Sequence, residues 1–564
     1  MTSTPHNSFI ALFAKSPLVL ALLTLSAHVS GQTVPDAGRM LRDLQPAPVL
    51  VVPKAAPLQR IESTPDASAN AGDTVLVKAV RITGNQVIPG PELEALVASL
   101  VGSEQNLAQL SAAARRITAY YRERDFAVAR AYLPVQDITS GTVTIDVIEG
   151  RISSQRFINQ SRLSDKRAQA YVGQVKEGEV IRSGQIDRGL LLLQDTPGVG
   201  SSRATLLPGA SVGTSELLVE LDPAQAYNGN VALDNYGSRY TGEYRLGANF
   251  NLVSPLKIGD QLSFSALSSG NNLSFGRLAY QLPVGSNGMR VGAAYFDTRY
   301  KLGREFAALQ AYGKATSASV FAAYPFIRSQ LVNLSGTVSL ERKRLNDYVD
   351  STATATGKTA GVSSFGLAGN LQDAFGGGGI NSFDLSVILG RLSIQSPAAL
   401  AIDAASAQTN GSYSRAVYSA SRLQRLGDST ALSVSLTGQR AGKNLDSSEK
   451  FSLGGSNGVR AYSQGEASGD EGQRGTLELR QAFGANLQGT AFYDFGSIRI
   501  NKTPFAAGDN GRNLAGVGVG LNASFKNLQL RTALAWRTLG GMPTSIPAAN
   551  VKTPTLWLQA SLAF

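Results

Sequence analysis

The sequence contains no cysteine and only two histidines, His6 and His28. Without cysteine there are no disulfide staples, no thiolate metal ligands and no Cys-His nucleophile. Both histidines precede Gly31, so a chain processed near that residue loses imidazole metal sites and Ser-His-Asp chemistry as well. No cofactor, metal or catalytic residue is expected. An enzyme would have only Ser-Lys or carboxylate pairs left, and neither has a recognisable motif. The third shortage is of long apolar runs. Residues 17–27, PLVLALLTLSA, come nearest, and at about a dozen residues they fall short of the roughly 18 that a spanning helix needs. With Lys15 ahead and Val29, Ser30 and Gly31 behind, they have the layout of a secretory signal over residues 1–31. The expectation is a protein that leaves the cytoplasm without a helical anchor.

Charge is present but unevenly placed. Residues 76–222 carry 16 basic and 16 acidic side chains, whereas residues 223–564 carry 31 and 20. The surplus is scattered singly along alternating segments, with no basic helix and no aromatic-basic module. That pattern fits a wet interior or lipid headgroup contact better than nucleic acid, and no nucleic acid is expected.

The 564 residues divide by texture. Residues 32–45 hold a short candidate helix, DAGRMLRDL, with Asp36 as its cap and Met40, Leu41 and Leu44 on one side. Residues 46–74 are a proline-rich linker punctuated by Pro46, Pro48, Pro53, Pro57 and Pro65. Residues 75–150 read as a strand (VLVKAVRI), a helix from Pro91 to Val101, a helix from Ser111 through AAARRITAYYRER, and two strands, around Ala127–Pro134 and Thr142–Val147. Residues 151–222 repeat that order, so the two look like tandem copies of one α+β module.

After Tyr227, segments of roughly ten residues alternate apolar and polar positions between turn residues, the signature of a transmembrane β-barrel. In Ser382–Gly390, Phe383, Leu385, Val387 and Leu389 share a face opposite Asp384 and Ser386. The final LWLQASLAF puts Leu556, Leu558, Ala560, Leu562 and Phe564 on one side. Sixteen such segments are predicted in residues 223–564, starting near 229, 243, 259, 272, 288, 316, 330, 361, 379, 411, 429, 473, 486, 513, 527 and 554. A large soluble β-sandwich is the other way to hide such faces.

Between the eleventh and twelfth segments lies GVRAYSQGEASGDEG. Gly454, Gly455, Gly458, Gly465, Gly469 and Gly472 allow a loop that folds back into a wide barrel. Arg460 would then need a carboxylate or water in the lumen, and the inward row of the next hairpin offers Glu478 and Asp494. The bland alternative is an exposed hairpin loop with solvated charges. GVGVG at 516–520 is no nucleotide loop, because it sits in an alternating strand with no helix after it. Its inward glycines would suit a passing chain or a plug, and ordinary glycine enrichment in barrel strands explains them equally well.

Taken together, the chain resembles a two-partner secretion transporter. The residues that carry the likeness are the short helix and linker, LPVQDITSGTVTIDVIEG closing the first module, LDNYGSRYTGEYRLG opening the barrel, the loop GVRAYSQGEASGDEG, and FYDFGSI at 492–498. The resemblance implies two POTRA domains ahead of a transmembrane β-barrel of about 16 antiparallel strands. It places Gly458, Val459, Arg460 and Tyr462 in the loop motif and Phe492, Asp494 and Gly496 in the receiving strand, with Glu478 as a secondary lumen candidate. Ala461 stands where the stricter motif has glycine.

The implied function is an outer-membrane pore, with its POTRA domains in the periplasm, that exports a large unfolded exoprotein: an adhesin, a haemolysin or a contact-dependent toxin. Residues 36–44 would plug the pore. Further partners are outer-membrane lipid and the barrel-assembly machinery, the latter through Phe564. A barrel assembly or insertion factor of the same superfamily is the alternative, although such proteins usually carry more POTRA units. A diffusion porin has no reason for 190 periplasmic residues, and a barrel enzyme ranks last.

Overall fold

The computed structural model describes residues 34–44 and 74–564. The expected signal segment and nearly all of the proline-rich linker lie outside the described residues. Among the described residues, no helix is long and apolar enough to cross a membrane.

The first α+β unit places two helices, α2 (Gly90–Val97) and α3 (Leu107–Glu123), over a three-stranded sheet. Its strands are ordered Ala79–Thr83, Thr142–Ile148, Arg130–Tyr132, the first pair parallel and the second antiparallel. Asn106 starts α3 with a capping box, its side chain accepting from the Gln109 amide while Gln109 returns the favour to the Asn106 amide. Leu110, Ala113, Ala114, Ile117 and Tyr121 then recur at helical spacing on the buried face. The predicted single strand VLVKAVRI is instead two pieces. Val75–Leu76 pairs with Glu104–Gln105, and the chain turns at Val77, whose side chain enters the core, before Ala79 joins the main sheet. The second unit repeats the topology with α4 (Asp165–Val172), α5 (Ser183–Gln194) and strands ordered Arg151–Asn159, Thr214–Pro223, Val199–Pro208. The units are joined by a borrowed cap: Asp125 of the first accepts from the Gly184 amide at the start of α5, at 2.8 Å.

Sixteen antiparallel strands close into a barrel. They are β1 (Tyr227–Asp234), β2 (Arg245–Val253), β3 (Gln261–Ser268), β4 (Leu273–Val284), β5 (Met289–Lys301), β6 (Ala311–Arg328), β7 (Val332–Val349), β8 (Thr354–Asp373), β9 (Gly379–Ile394), β10 (Gly411–Arg425), β11 (Thr430–Ala441), β12 (Glu471–Phe483), β13 (Leu487–Arg499), β14 (Gly511–Phe525), β15 (Leu528–Leu539) and β16 (Thr555–Ala563). Closure satisfies every strand edge, which a sheet in lipid requires. The outward rows are apolar, with Leu385, Val387, Leu389, Tyr493, Phe495, Leu556, Leu558 and Leu562 all exposed. Phe564 continues this face past β16, exchanging two 3.0 Å backbone hydrogen bonds with Gly229.

The second unit is seated on the periplasmic end of the barrel by a two-bonded ion pair. Arg328 donates from Nε and Nη2 to both Asp195 carboxylate oxygens, at 2.6 and 2.9 Å. Arg290 adds a 2.6 Å bond to the Asp195 carbonyl, and Arg188 a 2.9 Å bond to that of Pro325. These contacts orient the α+β units under the pore mouth.

Candidate functional site in the barrel bore

The connection from β11 to β12 turns inward and lies in the bore. Arg460 sits at its tip against the wall built by β12 and β13. Its Nε and Nη2 donate to the two Asp494 carboxylate oxygens at 2.8 and 2.9 Å, and Nη1 donates to Glu478 Oε2 at 2.8 Å. The Arg460 amide donates to Asp494 as well, at 3.0 Å, and Thr476 Oγ1 donates at 2.8 Å. Asp494 is 1% exposed, so its charge is neutralised by these donors rather than by water. The guanidinium also lies 3.3 Å from the centre of the Phe492 ring. Alternation along β13 dictates this placement: Phe492 and Asp494 share the inner face while Tyr493 and Phe495 meet lipid.

The rest of the tip is fixed through its backbone. Trp557 Nε1 donates to the Arg460 carbonyl at 2.7 Å, and Thr555 Oγ1 to that of Ala461 at 3.0 Å. Tyr462 is fully buried, its hydroxyl donating to the Leu539 carbonyl at 2.7 Å. Ala461 has no left-handed backbone angle, so the departure from glycine costs no strain there. Its methyl instead rests on the floor made by GVGVG. A Cβ on Gly516 would lie 2.4 Å from the Ala461 Cβ, and one on Gly518 would lie 2.2 Å from the Phe492 ring. Those inward glycines make room for the loop tip and the side chain beside it.

The loop glycines act differently from expectation. Only Gly455 and Gly465 adopt left-handed φ, +128° and +77°. Gly454, Gly458, Gly469 and Gly472 are needed because neighbouring atoms come too close for a side chain; a Cβ on Gly458 would meet the Leu453 carbonyl oxygen at 2.0 Å. Gly496 of the receiving strand is likewise packed under Leu453, and Val459 is fully buried.

A second set of contacts, not anticipated from the sequence, holds the descending limb. Glu449 is 1% exposed and receives Lys343 Nζ at 2.7 Å and Arg415 Nη2 at 2.8 Å. Burial alone would raise the Glu449 carboxyl, but these two cations outweigh it and hold it below the usual carboxylate range. Asp446 pairs with Lys358 and Asp470 with Lys450, each at 2.7 Å. Glu466 reaches Arg512 and accepts from the Thr544 and Ser545 amides, both at 2.8 Å, tying the loop to the β15–β16 connection. One signal was available in the sequence: Lys343 has the inward parity of its strand, where an unpaired cation is costly.

Helix α1 (Ala37–Leu44) occupies the other side of the bore. Asp36 caps it, accepting from the Arg39 amide at 2.9 Å. Met40 and Leu41 are buried with Tyr240, Phe296, Tyr300, Ala311, Ala315 and Leu345 of the wall; Leu44 is half-buried beside them. The opposite side of the helix meets the loop. Arg39 Nη2 donates to the Gly465 carbonyl at 3.0 Å, and Arg42 Nη1 donates to Ser468 Oγ at 2.8 Å and to the Lys450 carbonyl at 3.2 Å. Lys450 and Ser468 lie on opposite limbs, so the helix bridges them. Below the tip a polar cavity of about 550 Å³ opens toward the periplasmic end, lined in part by Arg460, Glu478, Arg480 and Arg531. Among the described residues no group of histidine, cysteine, aspartate and glutamate is arranged to hold a metal.

Two periplasmic α+β units, a closed barrel, an in-folded loop and a helix in the bore together define an outer-membrane protein transporter. The model of the haemolysin secretion/activation protein family ShlB/FhaC/HecB matches residues 213–523, and a POTRA domain of ShlB type matches residues 75–150. The chain belongs to this family, the transporters of two-partner secretion, which place the barrel in the bacterial outer membrane and the POTRA domains in the periplasm. It is 31% identical over 521 residues to the heme/hemopexin transporter protein HuxB of Haemophilus influenzae strain Rd, covering 89% of this chain and 90% of that one. The outer membrane transporter CdiB of Dickeya dadantii is 23% identical over 519 residues, covering 89% and 88%. The solved structure of CdiB from Escherichia coli superimposes with a TM-score of 0.71 at 19% identity, covering both chains completely, and so shares the fold.

Proposed function

We propose that this transporter passes one large exoprotein, unfolded, from periplasm to cell surface, with the POTRA units receiving it and the in-folded loop shaping its path. The observation that carries this reading is the bore itself, filled by two separate elements that must shift before a chain can pass. A diffusion porin has no use for such an obstruction. Each POTRA sheet has free edges, and an extended secretion signal could add a strand to one, a contact that is specific yet reversible. Helix α1 is the plug that leaves when substrate docks. The periplasm supplies no ATP, so the work comes from the substrate folding outside, where ordered structure cannot slip back. Insertion of the barrel is assigned to the barrel-assembly machinery reading Phe564.

The loop motif works through Arg460 and Asp494, which hold the tip in its export-competent place. Asp494→Asn keeps the shape of the site and removes the charge, leaving Arg460 with Glu478. Export of the cognate exoprotein, read in culture supernatant, is expected to fall roughly tenfold or more, since charged hydrogen bonds are worth about 1.5–3 kcal/mol each. The variant barrel should still insert and migrate as a folded species in heat-modifiability gels. Normal export from a correctly inserted variant would overturn the assignment. The cargo is a large signal-bearing exoprotein of the adhesin, haemolysin or toxin kind; finding its gene beside this one, and losing its secretion when this chain is deleted, tests that.

A further inference from the structure

Four consecutive residues of β7 divide between the two faces of the barrel wall. Glu341 and Lys343 point inward, where Lys343 is 2% exposed against Glu449. Arg342 and Arg344 point outward and are exposed. In the register of the sheet, Arg342 lies beside Gly361 of β8, and Gly361 lies beside Arg391 of β9, also outward and exposed. With glycine between them, the two guanidinium groups face each other across roughly 10 Å of sheet with no side chain in the way. Arg344 stands just above. No carboxylate lies within ion-pair distance of any of the three among the described residues.

Height along the strands gives this cluster its meaning. Arg342 is ten residues above the periplasmic end of β7 at Val332, and Arg391 is twelve above the start of β9 at Gly379. A strand crosses a bilayer in about 9–11 residues, so both arginines stand at the outer interface. The rows immediately below are mostly apolar and exposed, with Val320, Leu340 and Leu389 in one, where Ser363 stands between the last two, and Val338, Phe365 and Val387 in the next. The band above continues the positive charge. Arg299 and Lys301 are exposed and Lys314 is half-buried, and the one outward acid of strands β4–β9 at this level, Asp297, is already engaged by Arg299 at 3.3 Å and Lys314 at 2.8 Å. Elsewhere on the same rim the outward arginines differ: Arg440 and Arg499 each face Glu471, at 3.9 Å.

We propose that Arg342, Arg344 and Arg391 form a docking surface on the outside of the barrel for the phosphate groups of a glycolipid in the outer leaflet. Guanidinium forks match phosphate oxygens two at a time. The apolar rows directly beneath supply the face against which that lipid's acyl chains lie, which a free anion would not use. The occupant is therefore anchored at both ends, by charge at the rim and by tails along β6–β9. Bound lipid would fix the vertical position and rotation of this wall while the opposite one carries the loop.

The test uses the full-length protein purified in phosphate-free detergent buffer and read by native mass spectrometry. Its probe is a bis-phosphorylated acylated glucosamine disaccharide, offered beside the same glycolipid with both phosphates removed. The wild type is expected to retain the phosphorylated form, with roughly tenfold or greater preference over the dephosphorylated one. Millimolar inorganic phosphate should not displace it. R342Q/R344Q/R391Q should lose that preference, whereas K526Q, in a periplasmic turn, should keep it. Equal retention of the two lipid forms by the wild type overturns the proposal. So does displacement by inorganic phosphate, or an unchanged preference in a folded triple variant. If the triple glutamine variant does not fold, R342K/R344K/R391K replaces it; that variant keeps the charge without the forks and should show a reduced preference.

Discussion

Helix α1 and the loop tip share one bore but are retained by different kinds of contact. The loop is held by ion pairs out of water: Arg460 with Asp494 and Glu478, Glu449 with Lys343 and Arg415, Asp446 with Lys358. Among the described residues the helix has no comparable pair with the wall. Its nearest is Asp36 to Lys358 at 3.8 Å, and its arginines donate mainly to backbone carbonyls and a serine hydroxyl. Burying Met40 and Leu41 stabilises it by about 1.5–3 kcal/mol each, and an eight-residue helix adds little stability of its own. Breaking one buried ion pair costs about 3–5 kcal/mol, because the partner is left charged and dry. The helix is thus the more weakly held of the two elements, and displacing the loop would break several buried charge pairs at once.

This contrast is broken most severely by Glu449→Ala, which leaves Lys343 to its longer 3.7 Å pair with Glu341 and Arg415 to the uncharged Gln439 side-chain oxygen at 2.8 Å. The expected loss is about 3–5 kcal/mol, seen as a lower temperature for loss of the folded gel species. A smaller, selective effect is expected from Gly38→Val. A Cβ at Gly38 would lie 2.4 Å from Ser447 Oγ and 2.8 Å from the Ser448 amide nitrogen, so the helix cannot seat. Conductance in planar bilayers should rise several-fold with the barrel's thermal transition unchanged; an equally closed pore would show that the helix is not held as described. Ala461→Gly should change least. Its backbone is already unstrained and only one methyl contact on Gly516 is lost, so export should stay within about twofold and stability within ~1 kcal/mol.

Much of the barrel was legible because lipid on one side and water on the other impose a strict period of two. Most strands begin within a few residues of the expected positions, and the exceptions are instructive. The sixth was expected near 316 and the eighth near 361, but they begin at Ala311 and Thr354. Above the membrane the pattern inverts: Ala311 and Ala315 face inward onto helix α1, while Tyr312 and Lys314 face out. Polar outside and apolar inside reads as a loop to any rule that expects the reverse. At the site, Arg460 and Asp494 were legible because one lies on a foldable loop and the other on an inward parity close by. Glu449 and Lys343 were not, since 106 residues separate them and neither carries a motif. Trp557 and Thr555 were hidden for another reason: they grip carbonyl oxygens, which every residue possesses.

The alternation of Glu341, Arg342, Lys343 and Arg344 also bears on how the barrel is put together. Were β7 to slip by a single residue against β6 or β8, all four side chains would exchange faces. Two arginines would turn into the bore, and Glu341 and Lys343 would face out at the membrane rim, where a misplaced charge costs about 0–1 kcal/mol, less than at mid-depth. The four side chains therefore suit one alignment of β7 better than its neighbour, a bias that acts as soon as the strand pairs and before there is any cargo to carry.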